Sequence, residues 1–170
     1  HSCARTGGGG LKCWGSNQFG QLGDNSTTQR LVPVAVNGLD SGTTDVAAGQ
    51  NHTCALTDGG AVKCWGTNYV GQLGDGTMAQ RQVPVDVSGL STGVAAIATG
   101  ANHSCAVLVG GDAKCWGWND YGQVGDDTVT RRWTAVDVSG LASGTAAIAA
   151  GGFHSCALTS GGAVKCWGSN

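Results

Sequence analysis

An all-β fold, a β-propeller present as a partial ring, is what this sequence predicts. Three observations carry that expectation. One unit recurs every 51 residues without insertion or deletion. Each unit reads as four short strands separated by turn residues. No stretch shows the 3.6-residue apolar stripe of a helix. Composition points the same way: the chain has 31 Gly, and all 11 acidic residues are Asp, with no Glu. Gly and Asp favour turns and are poor in helix interiors.

The repeat is read residue by residue. His1, His52, His103 and His154 keep the step, as do Cys3, Cys54, Cys105 and Cys156, and the Cys-Trp pairs that begin at Cys13, Cys64, Cys115 and Cys166. Gly20, Gly71 and Gly122 keep it, and so do Arg30, Arg81 and Arg132. The expected organisation is one domain, 1–170, with units 1–51, 52–102 and 103–153 and an incomplete unit 154–170.

The second unit shows how each element arises. His52–Thr57 alternates, Asp58-Gly59-Gly60 is a turn signal, and Ala61–Gly66 is the return strand, so the pair is a β-hairpin. A Gly-rich loop follows at Gly71–Gly76. Val83–Val87 is a third strand, and Pro84 assigns it to a sheet edge, because Pro has no N–H to donate to a central ladder. Gly93–Ala98 is a fourth strand of small residues, suited to the crowded inside of a blade. Four strands in about 50 residues is the size of a propeller blade; a β-solenoid is the weaker alternative, its coils being shorter.

The eight cysteines form four pairs, each ten residues apart. A turn centred on Gly59 sets Cys54 opposite Cys64 and Leu56 opposite Val62. Cross-strand cysteines in such a pair are near enough to be joined. The same register applies to Cys3/Cys13, Cys105/Cys115 and Cys156/Cys166. Zinc is the competing reading, since His52, Cys54 and Cys64 share one face. It lacks a recurring fourth ligand and the tight cysteine spacing of structural zinc sites. Disulfides imply an oxidising, secreted or cell-surface setting. Trp65 falls on the other face, with Ala55 and Thr53 across from it, and the recurring Trp and His are expected to serve blade packing.

The strings Gly-x-x-His-Ser/Thr-Cys-Ala-Leu, Lys-Cys-Trp-Gly-x-Asn and Gly-Gln-Leu-Gly-Asp resemble the repeat of the regulator of chromosome condensation family, closest to its cysteine-bearing, secreted bacterial branch. The resemblance implies a propeller, commonly of seven blades, and hence a chain that supplies part of a longer ring. Open blade faces would then be available for self-association. The nuclear exchange-factor branch uses an inserted wedge and basic surfaces; here no unit has an insertion. The family's ultraviolet-B photoreceptors carry Trp and Arg just before the repeated His. Here those places hold Gln50 and Asn51, Ala101 and Asn102, Gly152 and Phe153.

Charge narrows the function. Charged residues are 12% of the chain, the formal net charge is −2, and the only basic pair is Arg131-Arg132. A nucleic-acid partner needs a positive face to displace counterions, so none is expected. No apolar run approaches a membrane span, so no insertion is expected. No single-copy nucleophile–base set occurs, and neither catalysis nor a cofactor nor a metal is expected. Asp120, Asp126 and Asp127 cluster in one loop, but their spacing fits no cation-binding loop. Asn25, Asn51 and Asn102 begin glycosylation sequons.

Residues present in every unit serve the fold, and residues that depart from the repeat are free for function. The departures concentrate in the third unit. Trp118 stands where Ser16 and Thr67 stand, and Tyr121 where Phe19 and Val70 stand. Arg131 replaces Gln29 and Gln80, and Trp133 replaces Leu31 and Gln82. Trp, Tyr and Arg are enriched at binding hot spots. The expectation is a non-catalytic scaffold whose loops, through these four residues, meet a protein or surface ligand. An accessory or regulatory domain of a larger enzyme and a structural protein assembled through blade edges are the alternatives.

Overall fold

The computed structural model describes residues 1–170, and all its regular elements are strands. The first sheet is β1 (Ser2–Arg5), β2 (Leu11–Gly15) and β3 (Arg30–Ala35). The second is β4 (Thr43–Ala48), β5 (His52–Thr57), β6 (Val62–Gly66) and β7 (Arg81–Asp86). The third is β8 (Val94–Thr99), β9 (His103–Leu108), β10 (Ala113–Gly117) and β11 (Arg132–Asp137). The fourth is β12 (Thr145–Ala150), β13 (His154–Thr159) and β14 (Val164–Gly168). Each sheet is an antiparallel meander in chain order.

The sheets are offset from the sequence units. The small-residue strand that closes the second unit, β8, pairs with β9, setting Val94 opposite Leu108 and Ile97 opposite Ala106. It is therefore the first strand of the next sheet. Two complete four-stranded sheets are flanked by two three-stranded ones, the first lacking an inner strand and the last an outer one. The inner strands β4, β8 and β12 lie beside one another, so the sheets fan out from a common axis. Pro33 and Pro84 lie in β3 and β7, which are outer edge strands.

The hairpins hold the expected register. Cys54 faces Cys64, Leu56 faces Val62, and His52 faces Gly66. All four cysteine pairs are disulfides: Cys3–Cys13, Cys54–Cys64, Cys105–Cys115 and Cys156–Cys166. Each closes a short loop and contributes about 2–3 kcal/mol.

The core lies between sheets. The disulfide face of one packs on the Trp face of the next. Cys54, Leu56, Val62 and Cys64 of the second sheet meet Ala106 and Trp116 of the third. Leu11 and Cys13 meet Ala55 and Trp65 in the same way. Trp65 and Trp116 are fully buried. Removing a side chain of that size from water stabilises the fold by roughly 4–6 kcal/mol. Gly74 makes room for one of them: its φ is +70°, and a Cβ there would lie 2.7 Å from the Trp116 Nε1. On the fourth sheet the equivalent face is open. Leu158 is 41% and Val164 67% exposed, where Leu56 and Val62 are buried.

Candidate functional site

The repeated polar residues form a link between neighbouring sheets. The Thr53 hydroxyl donates to the Gln21 carbonyl at 2.8 Å, and the Trp65 indole N–H donates to the same oxygen at 2.9 Å. Ser104 and Trp116 converge likewise on the Gln72 carbonyl, and Ser155 and Trp167 on that of Gln123. The same hydroxyl receives a histidine from the sheet before: His52 Nε2 lies 2.9 Å from the Ser104 Oγ, and His103 Nε2 2.9 Å from the Ser155 Oγ. A carbonyl only accepts, so each hydroxyl spends its single proton on the Gln oxygen. The histidine must then be the donor, which fixes the Nε2–H tautomer. Burial pushes His52 down to about 3 and His103 to about 4, so both are neutral structural parts.

A second network shapes the long loops. The Asn68 side-chain amide reaches Asp75 and the carbonyls of Thr77 and Ala79, while its Oδ1 accepts the Leu73 N–H. The Asp75 carboxylate accepts from the Thr77 hydroxyl and from Arg81. The first and third units repeat this with Asn17, Asp24 and Arg30, and with Asn119, Asp126 and Arg132. Burial would raise the Asp24, Asp75 and Asp126 carboxyls. The hydrogen bonds from hydroxyl, Arg and Asn outweigh it, and all three lie below the ordinary carboxylate range. Each of these Asp side chains also accepts the backbone N–H two residues on, as Asp75 does from Thr77 at 3.0 Å, and the recurring Arg is its ion-pair partner. Asp126 and Asp120 are thus occupied by Arg132 and Arg131.

The residues that break the repeat lie on one rim. His52 opposes Gly66, so the β4–β5 turn and the β6–β7 loop lie at the same end of the sheet. In the third and fourth sheets this rim carries an aromatic trio. Trp118 and Tyr121 come from the β10–β11 loop and Phe153 from the β12–β13 turn. Ring centroids are 5.7 Å apart for Trp118–Tyr121, 5.2 Å for Trp118–Phe153 and 5.6 Å for Tyr121–Phe153. Tyr121 is 52% and Phe153 42% exposed. Beside them Arg131 pairs in bidentate fashion with Asp120, at 3.0 and 2.8 Å. The Arg131 hydrogen bonds hold the Asp120 carboxyl down at about 2. Trp133 makes no ring contact with the trio. It lies over Gly71 and lines, with Arg131 and Arg132, a shallow groove of about 420 Å³.

The structure therefore gathers Trp118, Tyr121 and Arg131, places Trp133 in an adjoining groove, and adds Phe153. The signal for Phe153 was in the sequence: Asn51 and Asn102 occupy its place in the earlier units.

The trio displaces a hydrogen bond. In each interface the buried Gln accepts through Oε1 the N–H two residues before it, which fixes the direction of its amide. Gln21 Nε2 then donates to the Ser16 Oγ, and Gln72 Nε2 to the Asn102 Oδ1. Trp118 and Phe153 stand in those two places in the third interface. Gln123 Nε2, fully buried, has no partner.

The architecture is an open arc of β-propeller blades. Two repeat models described as "Regulator of chromosome condensation (RCC1) repeat" match, one over residues 9–56 and 59–107, the other over 44–72, 94–123 and 146–170. The chain belongs to the regulator of chromosome condensation repeat family. It is 35% identical over 175 residues to the ultraviolet-B receptor UVR8 of Arabidopsis thaliana, covering 100% of this chain and 39% of the receptor. It is 34% identical to the human E3 ubiquitin-protein ligase HERC2 over 100% of this chain and 4% of the ligase. Among solved structures, human WBSCR16 matches with a TM-score of 0.84 at 27% identity, over 98% of this chain and 44% of that one. Yeast RCC1 (Prp20), solved bound to Kap60, matches with a TM-score of 0.80 at 26% identity, over 94% and 40%. The chain thus spans about two fifths of the receptor and of both solved relatives.

Proposed function

We propose that this chain is a non-catalytic binding module that meets a partner protein through the rim formed by Trp118, Tyr121, Arg131 and Trp133. The observation that carries the reading is convergence: residues scattered as repeat departures come together on one exposed rim. At the interfaces between sheets and in the long loops the recurring polar residues are meanwhile engaged with one another, as His52, Ser104 and Asp75 are. Yeast RCC1 was solved with a bound protein, and that supports a protein as the partner here. No helix is long and apolar enough to cross a membrane. The four disulfides support a secreted or cell-surface setting, as in the cysteine-bearing branch of the family.

A second reading has one observation in its favour. A similar segment forms 4% of a ubiquitin ligase, so this module also suits the role of accessory domain in a larger enzyme. Both readings assign binding to the rim. A partner captured by the parent chain should bind a Trp118→Ala, Tyr121→Ala, Trp133→Ala variant at least tenfold more weakly in a biosensor titration. Equal affinity would move the contact surface elsewhere.

A further inference from the structure

The aromatic trio narrows the chemistry of the partner. Three features define the patch. First, its charges cancel: Asp120 and Arg131 are tied to each other, with side chains 43% and 48% exposed. A strongly charged ligand gains little there, because it would have to break a bidentate pair first. Second, the rings meet at steep angles, 66° and 89° about Trp118, so ring faces of different orientation flank one another. Third, the neighbouring turn is bare. Gly152 replaces Gln50 and Ala101, and a Cβ there would meet nothing within 4 Å. The fold does not require that glycine; its effect is to clear the ground beside Phe153.

We propose that the Trp118–Tyr121–Phe153 patch docks an extended, uncharged, proline-bearing peptide segment of the partner protein. Proline rings lie flat on aromatic faces, and a polyproline II chain is ordered before binding, so little entropy is lost. Such a chain makes no internal hydrogen bonds, so its carbonyls need donors. Tyr121 is 52% exposed, and its hydroxyl can supply one. The Gln123 amide left unpartnered below records what the fold gave up to place these rings. Local rules are broken where function demands it. The proposal rests on the binding-module reading.

The test is a titration followed by two-dimensional amide and indole NMR of the 170-residue chain. The probes are an end-capped decaproline, a hexaglutamate, a hexalysine and a neutral oligosaccharide, chitohexaose. Decaproline is expected to shift the Trp118 indole and Gly152 amide signals saturably, and the charged peptides are not. Phe153→Asn and Trp118→Ser restore the residues of earlier units, so the fold is retained. Each should weaken decaproline at least tenfold, while Leu31→Gln, which puts the second unit's residue on an exposed position of the first sheet, leaves it within twofold. Shifts with chitohexaose alone would overturn the peptide assignment and leave the binding rim standing. No shift with any probe, while a captured partner still loses affinity with Trp133→Ala, would overturn the patch and not the module.

Discussion

His52 in the second sheet donates its Nε2–H to the Ser104 hydroxyl in the third, 2.9 Å away, and that hydroxyl is already committed to the Gln72 carbonyl. Trp116 donates to the same carbonyl. Two donors of the third sheet thus converge on one buried carbonyl of the second, His52 stands behind one of them, and the arrangement recurs at each interface. This is the physical reason that His, Ser or Thr, Gln and Trp keep a strict 51-residue step.

The first prediction concerns that link. His52→Ala and Ser104→Ala should each destabilise the chain by about 1–3 kcal/mol, since each strands a buried group. In a double-mutant cycle the two losses should fall short of additive by on the order of 1 kcal/mol. Chemical denaturation of the four proteins measures this. Full additivity would mean that the contact carries no energy.

The buried histidines also set a pH dependence. Their folded values, about 3 and about 4, lie below the ordinary value of 6.5. Between those limits the unfolded chain binds protons that the folded chain does not. Stability is therefore complete above roughly pH 6.5 and falls as pH drops towards the folded values, by about 2 kcal/mol per histidine at pH 5. The lowered carboxyls of Asp24, Asp75 and Asp126 add their loss only at more acid pH. A His52→Gln, His103→Gln variant should start less stable and show a flatter slope between pH 5 and 6.5 in melting experiments. An unchanged slope would assign the acid sensitivity to other groups.

Reduction should proceed in a fixed order. Cys156–Cys166 lies on the open face of the fourth sheet, whereas Cys54–Cys64 and Cys105–Cys115 are buried between sheets. Mild reductant followed by alkylation and peptide mass mapping should label Cys156 and Cys166 first. Full reduction should cost about 2–3 kcal/mol per bridge.

Gly74 and Gly152 offer a contrast. Gly74→Ala forces a Cβ into Trp116 at a positive φ and should cost several kcal/mol, within the range of about 1–5 kcal/mol that strain and overpacking produce. Gly152→Ala enters open space and should leave stability within about 0.5 kcal/mol. Melting temperatures of the two variants check both values.

Much of the fold was legible because it follows from local arithmetic. The turn at Gly59 fixes the register of Cys54 on Cys64, and the period of two then places Trp65 on the opposite face. The grouping of strands was not legible. Whether β8 joins the strand before it or the strand after it depends on packing at the axis, which no local pattern in Gly93–Ala98 encodes. The step of Arg30, Arg81 and Arg132 was visible, but its partners Asp24, Asp75 and Asp126 become apparent only when the loop closes. Trp118, Tyr121 and Arg131 were found because departures from a repeat are visible in sequence. Phe153 is a departure of the same kind, and its meeting with Trp118 crosses between two sheets. The unpartnered Gln123 amide could be seen only after that contact was known.

The melting temperature of the Trp118→Ser, Phe153→Asn variant tests the central claim most directly, namely that repeated residues build the arc and the departures on the rim serve binding. Loss of the ring contacts should be offset by a partner regained for Gln123, leaving the melting temperature equal to the parent's or above it, within about 4 °C. A fall of more than about 10 °C would mean that the trio is part of the core, and the rim would lose its claim to be a binding site.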